Sequence, residues 1–116
     1  MTEEGQEEEE HAVCVKGERI GLQARPLAVL EAAGHTVVLL DPDAELRPYG
    51  QFENLFAISP GGERAWLARL PTSSTGDCYL SAALSSDGDL EATSFSGYRV
   101  VIDPRTGGIV ESTFTK

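Results

Sequence analysis

The chain has 116 residues and a formal net charge of -10, with 41% hydrophobic residues. That length supports one domain with its own core, and that apolar content is ordinary for a globular fold. The charge argues against nucleic-acid binding, because phosphates demand a positive stripe, and no run approaches the ~20 apolar residues of a membrane helix.

Six Glu fall within residues 1–10, which carry no base. An all-polar segment buries nothing, so residues 1–11 are expected to form a disordered acidic tail ahead of a single β-rich domain over 12–116. The acidic start lacks the basic-then-apolar order of a secretory signal, so a cytoplasmic location is expected. A basic protein partner suits the charge.

Residues 12–16 and 19–23 flank Gly17-Glu18, with Val13, Val15, Ile20 and Leu22 in alternation, which predicts a short hairpin. Pro26 opens and Gly34 closes a small segment in which Leu27, Leu30 and Ala33 share a helical face. Pro early and Gly just past the end predict one short N-terminal helix over 26–33. Thr36 to Leu40 is a β-branched and apolar run that reads as a central strand. Residues 41–53, with Pro42, Pro48 and Gly50, read as a loop ordered by Tyr49 and Phe52.

From Asn54 onward the pattern is an antiparallel β-meander. Strands are expected over 54–59, 63–70, 78–85, 89–96, 98–103 and 109–115, separated by Gly-containing turns. Cys78, Leu80, Ala82 and Leu84 alternate with polar or small neighbours, so they are expected to share one apolar face. Trp66 shares its strand phase with Ala68 and Leu70 and is expected in the core.

One phrase occurs twice, 44 positions apart: Leu55 to Trp66, and Arg99 to Val110. Each copy is an apolar strand, then Ser-Pro or Asp-Pro, then Gly-Gly, then a second strand. A period of this size marks one supersecondary unit used more than once. The two phrases resemble the repeat of quinoprotein-type β-propellers, in which an apolar strand runs into Asp-Pro, a Gly turn and a strand carrying Trp. Here Ser59 stands for the Asp of the first copy and Val110 for the Trp of the second. A closed propeller needs about four or more blades, so the resemblance implies blade-like hairpins and no quinone cofactor. The span 36–116 also resembles a family of small uncharacterised bacterial proteins, on Val37 to Pro42, Asn54 to Ala57, Ser96-Gly97-Tyr98 and the Phe114-Thr115-Lys116 ending. That resemblance implies an immunity factor for a bacterial toxin. The expected fold class is therefore mainly β, an antiparallel meander with propeller-blade-like hairpins and one short N-terminal helix.

No cofactor and no catalytic residue is assigned from the sequence. Asp41, Asp43 and Glu45 alternate as calcium ligands do, but Leu46 and Phe52 stand where the EF-hand loop needs Gly and Glu. Cys78 with His35 could be imagined as a nucleophile and base, yet Cys78 lies in the apolar phase of its strand. Cys14 and Cys78 are the only cysteines and are expected to be reduced. Arg64, Arg69, Tyr79 and Tyr49 are the candidate partner-binding residues, since Tyr and Arg dominate binding hot spots. The expected function is a non-catalytic acidic protein-binding module, concretely a toxin-neutralising immunity protein. The alternatives are a small enzyme or ligand-binding protein with a pocket near the 41–53 loop, and a homodimer through edge strand 109–115, with Ile109, Val110 and Phe114.

Overall fold

The computed structural model describes residues 11–43 and 51–115. The expected tail over residues 1–10 lies outside them; His11, assigned to that tail, begins the first strand. Among the described residues ten strands follow in chain order: β1 (His11–Val15), β2 (Glu18–Leu22), β3 (Pro26–Ala32), β4 (His35–Leu40), β5 (Leu55–Ile58), β6 (Arg64–Leu67), β7 (Tyr79–Leu84), β8 (Leu90–Ser94), β9 (Tyr98–Ile102) and β10 (Ile109–Phe114). They form a β1-β2 hairpin and two four-stranded sheets, ordered β3-β4-β5-β6 and β10-β9-β8-β7. Every strand pair is antiparallel, so each large sheet is an uninterrupted meander.

The layers are hairpin, first meander, second meander. One core joins the meanders through Val37, Leu39, Leu55, Ala57, Trp66, Tyr79, Leu90, Ala92, Val100 and Ile102. A second core lies on the opposite face of the first meander, where Val13, Val15, Ile20 and Leu22 of the hairpin cover Val38, Leu40, Phe56 and Ile58. Strands β4 and β5 are therefore buried on both faces. Their unbroken apolar runs, Val37 to Leu40 and Leu55 to Ile58, are the composition such a position requires. Burying a side chain such as Leu39 contributes about 1.5–3 kcal/mol.

The expected helix over 26–33 is a strand. Ala28, Leu30 and Ala32 face the core while Leu27, Val29 and Glu31 face out, which is period two. Ala33 and Gly34 form the β3–β4 turn with φ of +53° and +81°. Both central residues at positive φ make a type I′ turn, whose twist matches a two-residue hairpin. Gly34 thus serves as a hairpin glycine rather than a helix cap. Pro26 sits first on an edge strand, where its missing N–H costs nothing.

The expected apolar face of β7 is also corrected. Leu80 is an extra residue between the pairs Tyr79↔Ser94 and Ser81↔Thr93. That bulge turns Leu80 outward, to 40% exposure, and brings Tyr79 into the core at 0%. Ala82 still faces inward, Leu84 lies at the open end of that face, and Cys78 joins the hairpin-side core.

The repeated phrase has a structural meaning. Its first copy is β5–β6 and its second is β9–β10, the third and fourth strands of their respective meanders. The four-stranded meander is the unit used twice.

Candidate functional site

Strand β6 is an edge of the first meander, and its side chains divide sharply. Trp66 points inward and donates its indole N–H to the Pro104 carbonyl at 2.8 Å, which ties β6 to the β9–β10 turn. Gly107 of that turn, at φ +78°, leaves the space the indole needs. On the other side Arg64, Leu67 and Arg69 are exposed. The Arg64 guanidinium lies 5.0 Å from the centroid of Phe56 and covers its ring, a cation–π contact. Leu67 is 39% exposed between the two arginines.

Two shallow clefts flank this strip. One, of about 200 Å³, is lined by Ile20, Leu22, Phe56, Ile58, Gly62 and Arg64, between the hairpin and the first meander. The other, of about 260 Å³, is lined by Leu67, Arg69, Thr106, Gly107, Gly108 and Ile109. Both fall below the ~300–1,000 Å³ of ordinary small-molecule sites.

Tyr79 is not part of the exposed patch expected from the sequence. It is fully buried, and its hydroxyl donates to the Arg69 carbonyl at 2.6 Å. Burial raises the phenol pKa, and the nearby Asp77 carboxylate raises it further. Tyr79 therefore holds the backbone beneath the strip while Arg69 presents its side chain.

Beside it lie two buried polar anchors that the sequence did not flag. Asn54 is fully buried, donating from Nδ2 to the Leu40 carbonyl at 2.9 Å and the Tyr79 carbonyl at 2.8 Å; its Oδ1 accepts from the Tyr79 N–H at 2.8 Å. One side chain thereby joins β4 of the first meander to β7 of the second. Asp77 accepts from the N–H groups of Cys78 and Ser96, each at 3.0 Å, and from the hydroxyls of Thr72 at 2.7 Å and Ser96 at 2.9 Å. Four partners satisfy its carboxylate, which makes it a structural clasp between the segment entering β7 and the β8–β9 turn. An Asn or Asp beside a strand is ordinarily a turn residue in a sequence, so neither carried a signal.

The remaining candidates lie elsewhere. Asp41 pairs with Arg25 at 2.7 Å and accepts the Asp43 N–H at 2.9 Å. The Asp43 backbone bond, then the Arg25 side chain, hold its carboxyl below the usual range. Glu45 and Tyr49 fall outside the described residues, as does most of the loop on which the expected pocket depended. Among the described residues no group of three or more His, Cys, Asp or Glu is placed to hold a metal. His35 lies in phase with Val37 and Leu39, toward the core between the meanders, whereas Cys78 lies in the hairpin-side core. The sheet separates the imagined nucleophile from its base.

The family model described as Domain of unknown function (DUF7957) matches residues 4–114. The chain belongs to that family. No curated protein matches it. The match spans both meanders and the hairpin, so the family unit includes all three layers.

Proposed function

We propose that the domain is a non-catalytic protein-binding module whose contact strip is Arg64 and Leu67 on β6 with Arg69 just beyond its end, extended by Ile109. The observation that carries this reading is the exposed Leu67, 39% accessible, between two guanidinium groups on a strand anchored from below by Trp66 and Tyr79. An apolar contact flanked by arginines on a rigid support is the composition of an interface hot spot. The net charge of -10 acts at longer range and speeds encounter with a basic partner, while the strip supplies short-range recognition of carboxylates and carbonyls. In its concrete form the module is an immunity protein and the partner is a toxin that it neutralises.

The test is affinity purification from the native host with mass spectrometry, comparing the wild-type chain with the Arg64→Glu/Arg69→Glu double variant. The expected result is a partner retained by the wild type, lost by a variant that circular dichroism shows still folded, and bound more slowly as salt rises. An identical set of retained proteins would remove the strip from the account.

A further inference from the structure

Among the described residues β6 is a free edge of the first meander. The Ala68 N–H donates to the Leu55 carbonyl at 2.9 Å, so Leu55 and Ala68 form a hydrogen-bonded pair. By alternation the next pair, Phe56↔Leu67, is of the kind whose main-chain groups point apart. The N–H and C=O of Leu67 therefore face the open edge. A cleft borders that edge, the one lined by Leu67, Arg69, Thr106, Gly107, Gly108 and Ile109. Two consecutive glycines form part of its wall, where another backbone can approach closely. At about 260 Å³ it is small for a free ligand but has room for side chains of a strand laid beside β6.

The charges along this edge are also incomplete. The pairs Ile58↔Arg64 and Phe56↔Leu67 place Arg64 and Leu67 on one face of the sheet, because the extra residue Ala65 shifts the phase between them. Arg69 follows in phase, exposed between the buried Ala68 and Leu70. Arg25, Arg99 and Arg105 each pair with a carboxylate of this chain, at 2.7, 2.9 and 3.4 Å. Among the described residues Arg64 and Arg69 have no such partner, although acids outnumber bases by 19 to 9 in the sequence. Arg64 rests on the Phe56 ring instead. Pairing β6 with β6 of a second copy about Leu67 would set the arginines of one copy against those of the other, and like charges directly opposed are unfavourable. The edge suits a strand of different composition.

We infer that the protein partner supplies an extended segment that adds to β6 as a fifth strand of the first meander. This rests on the proposed reading of the β6 strip as the contact surface, and it names the form in which the partner arrives. The central residue of the segment exchanges both main-chain bonds with Leu67: the Leu67 N–H donates to its carbonyl, and its N–H donates to the Leu67 carbonyl. Its side chain is apolar and covers Leu67. The residues two places before and after it carry carboxylates, one for Arg64 and one for Arg69. The residues in between point to the other face, toward Gly107, Gly108 and Ile109, and are small or β-branched. The recognised pattern is acidic-x-apolar-x-acidic in an extended conformation. Main-chain bonds give such strand addition its affinity, and the alternate side chains give its specificity. The carboxylates belong to the segment alone, which is compatible with a partner that is basic overall.

The probe is an acetylated and amidated peptide, Thr-Glu-Thr-Val-Thr-Glu-Thr, titrated to millimolar concentration into the full chain and followed by amide NMR and hydrogen exchange. The expected result is binding that shifts the Leu67 N–H resonance and slows its exchange. Methylating the valine nitrogen removes the donor to the Leu67 carbonyl and should weaken binding roughly tenfold or more. Replacing both glutamates with lysine should also weaken it, and the Arg64→Glu/Arg69→Glu chain should prefer the lysine peptide. No binding of the glutamate peptide overturns the inference, as does binding that leaves Leu67 exchange unchanged. Equal binding of the N-methylated peptide overturns it too, and leaves the strip as a side-chain contact with the proposed function intact. Protection of the Leu67 amide that grows with chain concentration in the absence of peptide assigns the edge to a second copy and overturns it as well. Failure of the proposed function reads differently: the native partner is then retained by the Arg64→Glu/Arg69→Glu chain.

Discussion

Replacing Asn54 with Ala should uncouple the two meanders. The side chain is fully buried and makes three hydrogen bonds, to the Leu40 carbonyl and to both backbone groups of Tyr79. The substitution strands those three groups in a site from which water is excluded. Each unsatisfied buried group costs ~1–3 kcal/mol, and relaxation of the Tyr79 end recovers part of that. The net expectation is a loss of about 3–5 kcal/mol, a large share of the ~5–15 kcal/mol that holds a domain of this size. Melting temperature should fall by roughly 12–20 °C, taking ~4 °C per kcal/mol. Chemical denaturation of the purified variant, followed by near- and far-ultraviolet circular dichroism, measures the change directly. Asn54→Asp retains the shape and the acceptor but loses both donors, so it should be no milder. A loss under about 1 kcal/mol for Asn54→Ala would refute the argument that this residue staples the sheets, and would mean that the cores hold them together unaided.

Gly107→Ala should be severe for a different reason. A Cβ there meets Trp66 Cδ2 at 2.6 Å, and the backbone φ of +78° is unfavourable to any side chain, so a loss of ~2–4 kcal/mol is expected in a denaturation curve. Tyr79 should not ionise with an ordinary tyrosine. Its pKa is raised in the fold, so the stabilisation from keeping it neutral is complete below pH ~10 and is lost as pH climbs past that value. Phenolate absorbance should show one tyrosine titrating only as the protein unfolds, and Tyr79→Phe should abolish that step. Asp41 and Asp103 have the opposite sign: the Asp43 N–H and Arg25 lower the first, the Arg105 N–H and side chain the second. Their contribution is present above the usual carboxylate pKa of ~4 and fades as pH falls through the lowered values. Asp41→Asn/Asp103→Asn should therefore flatten the acid limb of melting temperature against pH while changing little at low pH.

What the sequence disclosed and what it withheld divide along physical lines. The meander from residue 54 onward was legible because alternation, Gly turns and apolar runs are local signals, and the 44-residue repeat located the same two strands in both sheets. The segment from Pro26 to Ala33 was misread because Ala and Leu favour a helix and Gly punctuates both helix ends and I′ turns. Pairing with β4, whose side chains need a neighbour on each flank, decided it as a strand. Tyr79 was misplaced because one bulge residue shifts the phase, and nothing in Cys78-Tyr79-Leu80-Ser81 announces a bulge. The β6 strip was half visible: Arg64 and Arg69 were picked out by type, but Leu67 gained meaning only once its neighbours Trp66 and Ala68 were seen to be buried. Asn54 and Asp77 were illegible, because their roles depend on partners up to 25 positions away.

The two outer faces of the layered stack explain why interaction concentrates where it does. The outer face of the second meander is finished with polar cross-strand pairs: the Ser81 and Thr93 hydroxyls lie 2.7 Å apart, and Arg99 reaches Glu91 at 2.9 Å. An apolar sheet has no reason to dock there, because it would bury these groups without replacing their solvation. The first meander is covered by a hairpin half its width, which completes the core over β4 and β5 but leaves Val29 on β3 only partly covered. A repeated unit stacked face to face has to end somewhere, and ends are capped either by polar residues or by a partial layer. Here one end has each kind of cap. The second meander ends in polar cross-strand pairs with Leu80 at its margin, whereas the partial layer leaves Val29 exposed beside it among the described residues.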